Sequence, residues 1–174
     1  MMIEKLMVVT DACLREELWE FYHTLFTPLN ECTPLAQTLD RQIFELWMAS
    51  SQATKFVVRN DQNAVAGLAV VSGDMRHDPL ISQAFFKKHY PGRPVYHFPA
   101  IALSEELRSE PRACRELMRA MMDGLPEDGV ALFFHSEGIR PAMPRLVRLA
   151  CSPEVAIEKS DTMACVLCTW RNGS

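Results

Sequence analysis

No apolar run in this 174-residue sequence reaches the ~18–20 residues a membrane-crossing helix needs. There is no basic excess either. The 18 lysines and arginines face 22 aspartates and glutamates, for a net charge of −4, which argues against a general nucleic-acid or membrane-surface binder. The opening stretch "MMIEKLMVVTDACLREELWEF" meets acidic residues too early for a secretory signal peptide, so a cytoplasmic location is the expectation. Metal-ligand spacing is nearly missing. Of six cysteines, only Cys165 and Cys168 ("CVLC") have it. They lie in an alternating stretch where a strand would point them to opposite faces, and no second pair completes a zinc site. A chain of this length needs no disulfide staples, so the cysteines are expected as buried reduced thiols. No Ser-His-Asp pattern with a strained nucleophile turn is present, and there is no internal repeat, low-complexity tract or linker.

What is present fits one domain over residues 1–174. The 48% hydrophobic and 23% charged content is close to the globular average and leaves enough apolar material for a core. "IEKLMVVT" suits a first strand. "CLREELWEFYHTLFTPL" places Leu14, Leu18, Phe21, Tyr22 and Leu25 at helical spacing. "TPLAQTLDRQIFELWMAS" reads as a second helix entered through Thr33 and Pro34. The period then changes: "TKFVVRND" and "AVAGLAVVSG", joined by "NDQN", read as a β-hairpin. "DPLISQAFFKKHYPGRP" is a helical insertion and "PVYHFPAIALS" a fourth strand. "EPRACRELMRAMMDGL" is a strongly amphipathic helix with Leu117, Met118, Met121, Met122 and Leu125 in one stripe. "GVALFFHSE" is a buried-type strand, "RPAMPRLVRLA" a short helix, and "EVAIEKSDTMACVLCTW" closes the chain with one or two strands. Intermixed strands and helices predict an α/β domain, a mixed sheet with helices packed on it.

One junction is short of glycine where glycine is usual. "ALSEELRSEPRAC" (Ala102–Cys114) runs from strand end through a polar loop into a helix. Such junctions bind phosphates with backbone N–H groups and the helix dipole, and glycine lets the backbone come close. Here Pro111, which has no N–H, and Ala113 take those places. A simpler account is also available: Ser109 suits an N-cap, Pro111 a first turn and Glu110 the dipole, as at any well-formed helix start.

The element order, with this junction after the fourth strand, resembles the GNAT superfamily of acyltransferases. The matching pieces are "VVRNDQNAVAGLAVV" for the hairpin, whose second strand often reads x-x-G-x-x in the family, "YHFPAIALSEELR" for the fourth strand, "PRACRELMRAMMDGL" for the next helix and "GVALFFHSEGIRPAMPRLV" for the fifth strand and its helix. The resemblance implies a mixed, mostly antiparallel sheet splayed between the fourth and fifth strands, with helices on both faces. Acetyl-CoA or another acyl-CoA would thread that gap beside Ala100, Ile101, Ala102 and Leu103. Its phosphates would meet Arg108, Arg112, Ala113 and Cys114. Against the family pattern Gln/Arg-x-x-Gly-x-Gly/Ala, the stretch Arg108-Ser109-Glu110-Pro111-Arg112-Ala113 keeps the arginine and the final alanine but puts proline at the first glycine, and Glu110 adds a negative charge.

For chemistry, the resemblance implies a base or water relay on the fourth strand. His97 lies there, and an ordinary histidine pKa near 6.5 suits the task; it also fits a hydrogen-bonded strand histidine. His135 and Ser136, followed by Glu137, fall at the end of the fifth strand, where the family's cleft opens. The family's general-acid tyrosine has no counterpart in "GIRPAMPRLVRLACS", so protonation of the leaving thiolate falls to Ser136 or a water. No metal is expected. The insertion is similar to long segments in the acyl-homoserine-lactone and long-chain N-acyl amino acid synthases, which take acyl chains from acyl carrier protein. Arg108, Arg112, Arg115 and Arg119 recur along one helix face and would suit such an acidic carrier. The expectation is an N-acyltransferase acting on a small amine. Its donor is CoA-borne acyl, or acyl-phosphopantetheine on a carrier protein as the alternative. A non-catalytic GNAT-like module is the rival, and family habit implies a homodimer.

Overall fold

The structure, a computed structural model, describes residues 1–31, 40–75, 81–126, 128–133 and 148. In chain order its elements are β1 (Met2–Leu6), α1 (Ala12–Phe26), a 3-10 turn (Thr27–Glu31), α2 (Arg41–Ala49), β2 (Ala53–Arg59), β3 (Val65–Ser72), α3 (Gln83–His89), β4 (Val95–Leu103), α4 (Glu105–Arg108), α5 (Pro111–Met122) and β5 (Val130–Leu132). The strands form one sheet in the order β1-β2-β3-β4-β5. The first three pairings are antiparallel and the last is parallel. Among the described residues, no helix is long and apolar enough to cross a membrane.

Local chemistry explains most boundaries. β1 stops at Leu6 rather than running to Thr10 as the apolar run suggested, because the chain turns so that the buried Val9 can donate its N–H to Met48 O at 3.0 Å. Asp11 caps α1, accepting from the Cys13 and Leu14 amides at 2.8 and 3.4 Å. Thr33 and Pro34, the expected helix entry, lie outside the described residues. The helix that carries Phe44 and Trp47 opens instead at Asp40, which accepts from the Gln42 amide at 2.6 Å. The hairpin turn is closed by Asn60, whose side chain accepts from Gln62 and Ala64, while Asn63 takes the left-handed φ of 64° that asparagine tolerates.

Helices cover both faces of the sheet. On one, Leu18 and Tyr22 of α1 and Phe44, Trp47 and Met48 of α2 pack on Ala53, Val57, Leu68, Val70 and Ala100. On the other, Ala113, Leu117, Met118 and Met121 of α5 pack on Phe56, Val58, Ala69, Phe98 and Leu103. Arg41 ties α1 to α2: its guanidinium donates to both Glu16 carboxylate oxygens and to Glu45, and stacks 5.0 Å from the Trp19 ring.

Two bulges interrupt the ladders. On β3, Val58↔Gly67 is followed by Arg59↔Val65, which leaves Ala66 extra. On β4, Val70↔Ala100 is followed by Ser72↔His97, so Phe98 and Pro99 oppose Val71 alone. Pro99 has no N–H for the ladder, and a bulge is where a sheet accommodates it. The described β4–β5 pairing covers Val95↔Val130, Tyr96↔Ala131 and His97↔Leu132, ending where the bulge begins. The face-to-face stack of Phe98 on Phe133, centroids 4.0 Å apart, continues the contact on the α5 side.

Candidate active site

The junction after β4 is more structured than its sequence suggested. Ser104 continues the ladder by donating its N–H to Ala66 O at 2.8 Å, then caps α4 by accepting from Leu107 N–H. The expected polar loop is therefore one helical turn. Ser109 is not the N-cap of α5. Glu110 holds that place without a side-chain cap bond, and the Ser109 hydroxyl donates to Glu106 O at 2.6 Å. Pro111 occupies the first helical position, as expected.

This turn consumes the donors that a phosphate would need. The Arg108, Ser109 and Glu110 amides donate to Ser104 O, Glu105 O and Leu107 O, and the Ala113 and Cys114 amides both donate to Glu110 O. Pro111 has none to give. In the first turn of α5 only the Arg112 N–H is left without a backbone partner among the described residues. Arg108, Arg112, Arg115 and Arg119 are all exposed, but Arg108 ends α4 and only the other three lie on α5, so the predicted stripe along one helix is broken by the turn at Ser109 and Glu110. Arg112 is committed to Glu116 at 2.7 Å, and that carboxylate holds the guanidinium pKa above its ordinary value.

Upstream, Ala100, Ala102 and Leu103 are buried and Ile101 is half-buried. All four are in antiparallel register with β3. In such a ladder, alternate residues direct their N–H and C=O groups to the other side, so half of this stretch's backbone groups face the β5 side. His97 lies just before the bulge, 1% exposed. Strand registers set it in one row with Ala53 on β2, Ser72 on β3 and Leu132 on β5, and laterally paired residues share a face.

That row leads to a cleft of about 280 Å³ lined by Leu46, Trp47, Ala49, Ser50, Ala53, Ser72 and Asp74. It opens on the face covered by α1 and α2. The Ser72 hydroxyl accepts from Asp74 N–H at 3.1 Å and lies 3.2 Å from Asp74 O, which fixes the turn at the cleft rim. Among the described residues, none of the site residues expected from sequence lines this cleft. Ser72 and Asp74 follow an apolar strand in "VVSGDM", the one hint the sequence carried. A second hollow, about 50 Å³ between Lys5, Thr54, Tyr96 and Met121, has room for little more than water.

His135, Ser136 and Glu137, and also Cys32, Cys151, Cys165 and Cys168, lie outside the described residues. Of the described cysteines, Cys114 is half-buried but Cys13 is exposed, contrary to the expectation of burial. It is the second residue of α1, on the side turned away from the sheet. In the insertion, Ile81 and Phe86 pack against Val95 at the start of β4. Arg93 fastens the approach to β5 by donating to Asp128 O and Gly129 O at 2.6 and 3.0 Å.

No protein-family model matches the sequence, and no curated protein matches it. Solved structures do match. A mutant of the BH1408 protein from Bacillus halodurans superposes with a TM-score of 0.58 at 13% identity, covering 94% of this chain and 100% of its own. An aminoglycoside acetyltransferase, meta-AAC0020, from an uncultured soil metagenomic sample, in complex with trehalose, gives 0.52 at 10% identity over 94% of this chain and 96% of its own. An acetyltransferase of Trypanosoma brucei gives 0.51 at 13% identity over 92% and 100%. At these identities the likeness is one of fold.

Proposed function

Starting from a chain with the GNAT acyltransferase fold, we propose an N-acyltransferase. It would move an acyl group, acetyl in the commonest use of this fold, from a CoA thioester to a small amine by direct attack. The observation that carries this reading is the row joining the cleft to β4: Ser72 on the cleft wall is paired with His97, and His97 adjoins the bulge after which β4 presents backbone groups on its β5 side. An acceptor in the cleft and a thioester along Ala100–Leu103 would then meet at His97.

In that arrangement a β4 N–H polarises the thioester carbonyl and His97 takes the proton of the attacking amine. The new C–N bond replaces the C–S bond, and the departing sulfur takes a proton from solvent, or from Ser136 or His135. Arg108 and Arg112, with the Arg112 N–H, would meet the phosphates, and the Ala113 and Cys114 amides would join them only by leaving Glu110 O.

Acyl-phosphopantetheine on a carrier protein is the second reading of the donor. The occupied amides of the α4–α5 turn favour it, since a single phosphodiester asks for fewer backbone donors than a pyrophosphate. The exposed arginines add a surface for an acidic carrier. The test is thermal stabilisation by CoA, together with thiol release from acetyl-CoA in the presence of a panel of amines. Stabilisation with release supports the CoA-dependent enzyme. Release only from acyl carrier protein selects the second donor. Neither leaves a non-catalytic module.

Pro111→Gly probes the phosphate grip directly. It returns one N–H to the first turn of α5, and a hydrogen bond to a charged partner contributes about 1.5–3 kcal/mol, partly offset by about 1 kcal/mol of lost backbone restraint. Calorimetric titration should show CoA binding ~2–30-fold tighter. Unchanged affinity would mean that Pro111 is not what limits the grip.

A further inference from the structure

Lys55 lies in the middle of β2, on the face covered by α1 and α2, and is 0% exposed. Its Nζ donates three hydrogen bonds, to Met7 O at 2.7 Å, Ser50 O at 2.8 Å and Ala53 O at 2.8 Å. These carbonyls come from three places: the chain just past β1, the C-cap of α2, and the start of β2. Ser50 and Ala53 are also walls of the 280 Å³ cleft. An ammonium has three donors and no acceptor, so this set saturates it.

A neutral amine cannot fill the same place. It has two N–H groups and a lone pair, so one carbonyl would lose its donor and face that lone pair instead. The protonation of Lys55 and the seating of the α2 C-terminus are therefore coupled. Burial pushes the Lys55 pKa down to about 8, while the three carbonyls keep it protonated at neutrality.

The surrounding charges leave this coupling undisturbed. From α2, Arg41 and Glu45 are engaged with Glu16 and Arg15. From β1, Glu4 pairs with Arg59 at 3.5 Å, and Lys5 lines the hollow on the α5 side. β3 carries no charged residue, and Asp74 sits at the cleft rim. Burial is the one resolved cause of the Lys55 shift.

We propose that Lys55 is the positioning residue of the cleft: as an ammonium it clamps the Ser50 and Ala53 carbonyls and fixes the wall that a ligand meets, and on losing its proton it releases that wall. The consequence for an amine acceptor rests on the acyltransferase reading above; the clamp itself does not. The clamp would make acceptor affinity fall just above neutral pH.

The test begins on the wild-type full chain, by NMR from pH 6.5 to 10. The Lys55 side-chain resonance should titrate near pH 8, and the Ser50 and Ala53 amides and the Trp47 indole N–H should shift with the same midpoint. Lys55→Met should lose that common midpoint. Titration of Lys55 at its ordinary value near 10.5, or Ser50 and Ala53 signals that ignore it, would overturn the clamp. The second arm compares KM for the amine in wild type and Lys55→Met, each against pH, so that titration of the amine cancels in the ratio. A wild-type KM rising ~3–10-fold relative to the variant between pH 7 and 9 supports regulation of the acceptor site. A flat ratio alongside moving resonances would leave the clamp standing and remove the acceptor from this cleft.

Equilibrium stability gives a third measure. The unfolded chain keeps this proton up to about pH 10.5 and the folded chain only to about 8, so the unfolded state binds more protons between those values. Wild-type stability should accordingly rise, relative to Lys55→Met, as pH climbs through that window. A fall there would overturn the clamp as drawn.

Discussion

Replacing His97 by glutamine is expected to lower kcat for acyl transfer by roughly 10²–10⁴-fold, the range of a lost general base, with KM for the thioester holding within about threefold. Glutamine keeps hydrogen-bonding capacity and approximate volume but cannot take a proton. The position makes the effect large. His97 is almost fully buried, adjoins the β4 bulge and is paired with Ser72 at the cleft, so bulk water has little access to stand in for it. Loss of proton transfer also has a signature that loss of packing lacks: the acidic limb of the kcat profile against pH, set by protonation of the base, should flatten. If kcat stays within threefold and only Tm falls, His97 is a strand-packing residue, and the base must be sought at His135 or Ser136.

Gly67→Ala should destabilise the fold by about 2–3 kcal/mol, the cost of overpacking a well-filled core, seen as a fall in Tm of roughly 4–12 °C for a chain of this size. Gly67 is on β3 between Val58 of β2 and Leu103 of β4 in direct register. A Cβ there would stand 2.7 Å from Leu103 Cδ2, 2.8 Å from Val58 Cγ2 and 2.9 Å from Val58 Cβ. The leucine tip can rotate aside, but Val58 Cβ moves only with its strand. Alanine also restricts the unfolded chain more than glycine does, which returns about 0.5–1 kcal/mol without offsetting the clash. The displaced strand end carries Leu103 and Ser104, so CoA binding should weaken with stability. A loss under 1 kcal/mol would show that the sheet can spread to admit the methyl group.

Much of the fold could be read from the sequence because its periods are clean. The apolar stripe of Leu117, Met118 and Met121 allowed only a helix face, and Leu117, Met118 and Met121 are indeed buried there. The alternation around "NDQN" and the asparagine that tolerates a left-handed φ set the hairpin. Boundaries were harder, since they depend on which side chain reaches a given amide. Asp40 rather than Thr33 opens the described α2, and Glu110 displaced Ser109 at the head of α5.

The candidate site was legible only in part. Pro111 at the first position of α5, and its missing donor, were visible in the sequence. That the preceding residues wind into α4 and occupy their own amides was not, because winding or staying extended turns on where Ser104 and Leu107 pack. The cleft was invisible for a similar reason. Ser50, Ala53, Ser72 and Asp74 come from separate elements and meet only through strand register. Nothing in the strand "TKFVVRND" sets Lys55 apart. Sequence by itself determined the order of the described elements other than α4 and the 3-10 turn, their apolar faces and the amide missing at Pro111, because these depend on period and residue type. Tertiary structure decided the row from cleft to His97 and the three carbonyls around Lys55, because register and helix seating bring together groups that are distant along the chain.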